Sequence, residues 1–309
     1  MENFDSLREN ARICEENIRT LCKKGNTSRE LLLWLKERAN AEVFLCKQDP
    51  SRIPVLPEVF SSLSLSAEDS SALLRDPAAH MNAVFVRDVI ALYAGFFCEA
   101  LAAQNEGWLA RWYPVFGRET EGSFVYVRTP IADKAYRHFS TFVVDPKVRY
   151  ASSFEEACGE VYGERADYVL LPLFGADGEL IRKSLLLLEK YELHVLFSVR
   201  LYSEAEELLC EFAMAGRGLT FAKKSEKTRS IALAQYPRSE GESSALLAAI
   251  AFYDCRIRYF ESGRASYDRR LCRIILEGGN TEAFLAWLLL VEPGCSLDGI
   301  YTVEETADG

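Results

Sequence analysis

Nine cysteines and three histidines are the side chains of this sequence best suited to metal ligation or thiolate chemistry. Their spacing argues against a metal site. No Cys-x-x-Cys occurs, and His80, His138 and His194 lie far apart in the chain, so no zinc-ligand pattern forms. The cysteines sit in apolar surroundings, such as Cys98 after Phe96-Phe97 and Cys210 after Leu208-Leu209, which predicts reduced, buried thiols. No cofactor is expected. Among the charged candidates, Arg8 and Lys36 read as helix-face residues and Glu261 as a strand-end charge, and solvation is the ordinary fate of such groups. Lys223, Lys224 and Lys227 cluster, but Glu226 dilutes them, and they read as a solvated loop.

The elements that position these residues belong to a large folded body. The chain has 309 residues, 49% of them hydrophobic and 27% charged, enough apolar surface for two or three domains. A formal charge of -10 excludes a nonspecific nucleic-acid or anionic-membrane surface, because phosphate neutralisation needs clustered Lys and Arg. The opening Met-Glu-Asn-Phe-Asp lacks a basic start followed by an apolar core, and no apolar run reaches the length of a membrane span. A cytoplasmic protein with a small-molecule or protein partner is the expectation.

Residues 1–104 carry helical periodicity, with Leu7, Cys14, Ile18 and Leu21 on one face of a first helix. Asn26-Thr27-Ser28 followed by Glu30 caps a second helix through Leu31 to Leu35, and a third runs from about His80 to Ala103. Residues 105–122, with Gly107, Pro114, Gly117 and Gly122, read as a linker. Over 123–225 the texture changes. Strands at Phe124–Val127, Tyr168–Leu173 and His194–Val199 alternate with helices at 132–139, 154–162 and 180–190, which predicts an α/β lobe with a mainly parallel sheet. Between Tyr202 and Gly218 there is room for one helix only. Residues 226–309 give strand, helix, strand, strand, helix, strand, a βαββαβ ferredoxin-like plait, and since a lone plait leaves a sheet face or edge open, such units often pair.

Specific stretches carry a family resemblance. Ser153-Phe154-Glu155-Glu156-Ala157, Ala166-Asp167-Tyr168-Val169-Leu170-Leu171-Pro172-Leu173, Gly178 and Leu185-Leu186 are similar to the first lobe of prephenate dehydratases. Gly241, Phe260-Glu261-Ser262-Gly263-Arg264 and Arg273-Ile274-Ile275-Leu276-Glu277-Gly278 resemble the regulatory ACT domain that follows it. Leu7-Arg8 and Lys36 resemble the mutase helices of the bifunctional members. The chain thus resembles the chorismate mutase/prephenate dehydratase family of phenylalanine biosynthesis over nearly its whole length.

The resemblance implies catalytic places for Arg8 and Lys36, which would hold chorismate, and for Thr220 in Leu219-Thr220-Phe221, or alternatively Thr228 in Thr228-Arg229-Ser230 where the first ACT strand opens, which would stand where the dehydratase threonine does. It implies effector-binding places for Gly241, Glu261, Ser262 and Arg264, with phenylalanine as effector, chorismate or prephenate as further ligands, and a homodimer as the assembly. The departures are as informative. The glycine turn after the first strand becomes Val127-Arg128-Thr129-Pro130-Ile131-Ala132, the Pro-Ile-Glu-Asn-Ser segment becomes Pro172-Leu173-Phe174-Gly175-Ala176, and no length remains for a second lobe. Catalytic residues are largely lost. Three readings follow: a noncatalytic amino-acid sensor or regulatory partner, an active mutase or dehydratase, and a scaffold whose modules only pack together.

Overall fold

The computed structural model describes residues 4–24, 27–49, 52, 54–61, 77–103, 121–220, 229–235, 240–264, 270–292 and 294–306. The linker stretch falls outside them except for Glu121 and Gly122, which open a strand, and so do Lys223, Lys224, Glu226, Lys227 and Thr228.

The helical region comprises α1 (Phe4–Cys22), α2 (Arg29–Gln48), the short α3 (Glu58–Ser61) and α4 (Pro77–Ala102). Leu7, Ala11, Cys14, Ile18 and Leu21 are all buried, so α1 inserts one stripe at helical spacing. Ser28 caps α2, its hydroxyl accepting from Leu31 N at 3.1 Å, which satisfies one of the free amides of the first turn. This region does not close its core alone. Val89, Tyr93 and Phe97 of α4 pack in one cluster with Leu246, Ile250, Phe284 and Trp287 from the C-terminal part, and Tyr253 Oη donates to Ala91 O at 2.6 Å across the same contact.

The rest of the chain builds β1 (Glu121–Val127), α5 (Pro130–Phe139), β2 (Val144–Ala151), α6 (Phe154–Tyr162), β3 (Tyr168–Phe174), α7 (Arg182–Lys190), β4 (His194–Tyr202) and β5 (Leu208–Gly216). Then follow β6 (Arg229–Gln235), α8 (Glu240–Phe252), β7 (Arg256–Arg264), β8 (Arg270–Glu277), α9 (Thr281–Val291) and β9 (Ser296–Thr306). All nine strands join one mixed sheet in the order β2-β1-β3-β5-β4-β9-β6-β8-β7. β1 runs parallel to β2 and β3, whereas β5 lies antiparallel between β3 and β4.

The stretch between Tyr202 and Gly218, with room for one helix at most, holds strand β5 instead. A turn over Ser203 to Glu207 returns the chain, with Ser203 N donating to Glu207 O at 2.8 Å and Glu206 at φ 59°. The apolar run that follows is buried on both faces of the sheet, a setting in which a strand and a buried helix carry the same composition.

β9 is the joint between the two halves of the sheet. It pairs parallel with β4 and antiparallel with β6, so the lobe and the plait share one continuous surface. Gly299 permits this approach, since a Cβ there would sit 2.7 Å from Val195 O and 2.9 Å from Val195 Cβ. One face of the sheet carries α5 over the lobe and α8, α9 and the N-terminal helices over the plait. The other face carries α6 and α7 and continues under Ala232, Ile275, Tyr301 and Val303 of the plait.

Candidate functional site: the charged seam between lobe and plait

On the face that carries α7, charged side chains gather where lobe and plait meet. At the carboxyl ends of β3, β4, β8 and β9, Arg200 joins the carboxylates of Glu211 (Nε to Oε2, 3.1 Å), Glu277 and Glu305 (3.2 Å). Arg258 adds a second contact to Glu211 Oε2 at 2.7 Å and lies 3.6 Å from the Phe174 ring centroid, while Arg256 reaches Glu277 Oε2 at 2.5 Å. Burial pushes the Glu277 carboxyl up, but hydrogen bonds from Arg200 and Arg256 outweigh it and hold the group below its ordinary range. Glu211 Oε1 and the hydroxyls of Ser198, Ser230 and Tyr301 are buried without a hydrogen-bond partner among the described residues. This cluster is a tight internal lock, since separating buried charges costs several kcal/mol, roughly 3–5.

A second cluster lies about 13 Å further along β8, at the strand spacing of about 3.3 Å per residue, beyond Ile275 and Tyr259. Glu261 of β7 accepts from Arg182 Nη2 at 2.8 Å through Oε1, while its Oε2 takes Tyr259 Oη at 3.2 Å and lies 3.5 Å from Arg273 Nη1. Arg273 also holds Glu189. Arg182 and Glu189 open and nearly close the same helix, α7, so the lobe helix is strapped to the plait near both ends. Arg182 is 69% exposed and Glu261 22%, and an ion pair this open is worth about 0–1 kcal/mol. Beside it, Asp298 of β9 is half-buried, and this burial pushes its carboxyl up to about 6, with Glu189 adding to the rise and Arg273 opposing it. The two clusters differ in kind: the first is closed and strong, the second open and weak.

The residues singled out from the sequence are dispersed. Arg8 and Lys36 are both exposed, on α1 and α2. The Arg38 to Glu15 contact, 2.9 Å, sets the level of the two antiparallel helices and places Arg8 opposite residue 45. Lys36 is nine residues from that level, roughly 13 Å along the axis at about 1.5 Å per residue. What α2 and the segment after it do bring together is Arg38, Glu42 and Arg52, with Glu42 fully buried between the two arginines at 3.0 Å from each. Thr220 follows β5. Its hydroxyl is buried without a partner among the described residues, and Leu219 beside it packs on the helical core.

The effector candidates divide across the sheet. Gly241 is in the first turn of α8, and Ser262 stands opposite Cys272, whose Sγ is 4.0 Å from Ser243 Oγ of that helix. Glu261 pairs in register with Arg273 and therefore points to the opposite face, toward α7. Arg264 ends β7 opposite Arg270.

Burial pushes the thiols of Cys22, Cys210 and Cys255 up to about 11 and those of Cys98 and Cys158 up to about 12, so all five are protonated at neutral pH. Burial lowers His194, whose Nδ1 lies 3.0 Å from Leu297 O. No helix among the described residues is long and apolar enough to cross a membrane.

Sequence reasoning missed Arg182, Arg200 and Glu211, and it took in Arg273 only as part of the stretch that resembles an ACT strand. A signal for Glu211 exists, a lone acid inside the apolar run Leu208 to Gly216, because such a charge is tolerated only beside a cation. For Arg182, at the start of an ordinary surface helix, there is none.

No family model matches the sequence, and no curated protein matches it. Among solved structures the chain is similar to a prephenate dehydratase from Streptococcus mutans at 14% identity and a TM-score of 0.46, covering 60% of this chain and 100% of that chain. It is also similar to the prephenate dehydratase from Arthrobacter aurescens in complex with L-Phe, at 10% identity and a TM-score of 0.44, covering 58% and 90%. A quorum-quenching acylase gives 15% identity and a TM-score of 0.40, covering 58% and 94%. Identities of this size assign no residue its role.

Proposed function

We propose that this chain is a noncatalytic, amino-acid-responsive regulatory protein whose effector is an aromatic amino acid, phenylalanine foremost. The observation that carries the reading is the setting of Glu261: a partly exposed carboxylate on the outer strand of the plait, tied by an open ion pair to a helix of the lobe. A ligand ammonium can compete for Glu261, and the competition is felt at α7. The separation of Arg8 from Lys36 supports a noncatalytic role, because ether-oxygen and carboxylate stabilisation needs cations converging on one small molecule. The same reading makes the chain a homodimer that pairs through the plait, where β7 ends the sheet and exposes Ile257 and Phe260.

Two assays test it together. Thermal unfolding with increasing phenylalanine, tyrosine or tryptophan should raise Tm in proportion to the logarithm of ligand once it exceeds Kd. Chorismate and prephenate should both pass unconverted under the same conditions. Turnover near the ordinary enzyme range of about 1 s⁻¹ or more would overturn the noncatalytic reading.

A further inference from the structure

Resting on that reading, we infer that the effector site is shared between the two halves of the chain: Arg182 of α7 receives the carboxylate of an α-amino acid and Glu261 of β7 receives its ammonium. The amino acid is bound by insertion into the Arg182–Glu261 ion pair.

The pair is the right one to open. It is exposed, so breaking it takes little, whereas Glu211 and Glu277 are buried carboxylates held by two arginines each, of which only Arg256 is exposed. Opening it leaves one cation and one anion, which the two ends of a zwitterion match without a change in net charge. Glu261 is also set up to lose one partner and keep its position, because Oε2 is held by Tyr259 Oη while Oε1 is the atom given to Arg182. On the other side, α7 begins at Arg182 after Ile181, whose side chain makes no capping hydrogen bond. Arg182 is itself the first residue of α7, so the positive end of the helix dipole lies at the base of the guanidinium's own side chain and favours a carboxylate there.

Binding has a consequence for the lobe. Releasing Arg182 leaves α7 held through Glu189 to Arg273 and through Ser184 Oγ, which donates to Pro172 O at 2.6 Å. The first turn of α7 and the adjoining Phe174–Ile181 turn, where Leu180 bridges to Phe174, lose their tie to β7. The ligand thereby loosens one edge of the lobe while staying attached to the plait.

Calorimetry with phenylalanine, phenethylamine and 3-phenylpropionate, on wild type, Arg182→Gln and Glu261→Gln, tests the assignment. Loss of a charged hydrogen-bond partner should weaken binding about tenfold or more. Arg182→Gln should weaken phenylalanine and phenylpropionate and, by removing the competitor for Glu261, bind phenethylamine at least as tightly as wild type, while Glu261→Gln should do the reverse for the two half-ligands. Where a half-ligand is too weak for heat, hydrogen exchange over residues 174–184 gives a second measurement: Arg182→Gln should speed it in the unliganded protein. If wild type binds phenylalanine and Arg182→Gln binds it equally well, the shared site is wrong and the sensor reading stands. If wild type binds no amino acid, the sensor reading fails and the shared site with it.

Discussion

Arg200 of β4 and Glu211 of β5 stand opposite each other in register, and their side chains meet at 3.1 Å on the face of the sheet where lobe and plait join. Glu211 is fully buried, and Arg200 carries the contact onward to Glu277 of β8, so one guanidinium ties the lobe's last hairpin to the plait.

Removing that guanidinium should be costly. Arg200→Ala leaves Glu211 with Arg258 and Glu277 with Arg256, each buried carboxylate short of one cation. The expected loss is about 3–5 kcal/mol in urea unfolding. A loss below about 1 kcal/mol would mean that the network contributes no more than a surface pair.

The joint at β9 depends on a missing side chain. Gly299→Ala would place a methyl 2.7 Å from Val195 O, a backbone atom that cannot rotate away, so β4 and β9 must separate locally. Destabilisation of about 1–3 kcal/mol is expected, of the size seen when cores are overpacked. Thermal unfolding checks it, and an unchanged Tm would contradict the close parallel pairing of the two strands.

Asp298 gives a pH dependence of definite sign. Its carboxyl is raised from 3.8 to about 6, so in that interval the folded chain keeps a proton that the unfolded chain has lost. The contribution to stability is fully present below about pH 4 and is lost as pH rises through about 6. Asp298→Asn should therefore stabilise the protein at about pH 7.5 by roughly 1–3 kcal/mol and lose its advantage at about pH 4. An advantage that grew on acidification would show that the carboxylate is the favoured form in the fold.

Legibility in the sequence followed burial. Helix α9 was readable from Thr281 to Val291, and Tyr168 to Leu173 as a strand, because both are apolar runs with clear punctuation. β2 was missed because Val144-Asp145-Pro146-Lys147-Val148-Arg149-Tyr150 forms an edge strand, largely exposed, whose proline and charges are those of a loop. β5 was missed for the opposite reason, being buried on both faces and so without a period. Glu261 could be singled out through its neighbours in sequence. Its partners could not, because Arg273 meets it only through the β7–β8 register and Arg182 only through the packing of α7 on the open face of the plait.

The most direct measurement is the heat of titrating phenylalanine into the wild-type chain and into Glu261→Ala. The expected result is saturable binding at millimolar ligand or below by wild type, weakened about tenfold or more in the variant, as follows when a charged partner is removed. No heat from wild type, or equal binding by the variant, would contradict an amino-acid site at Glu261.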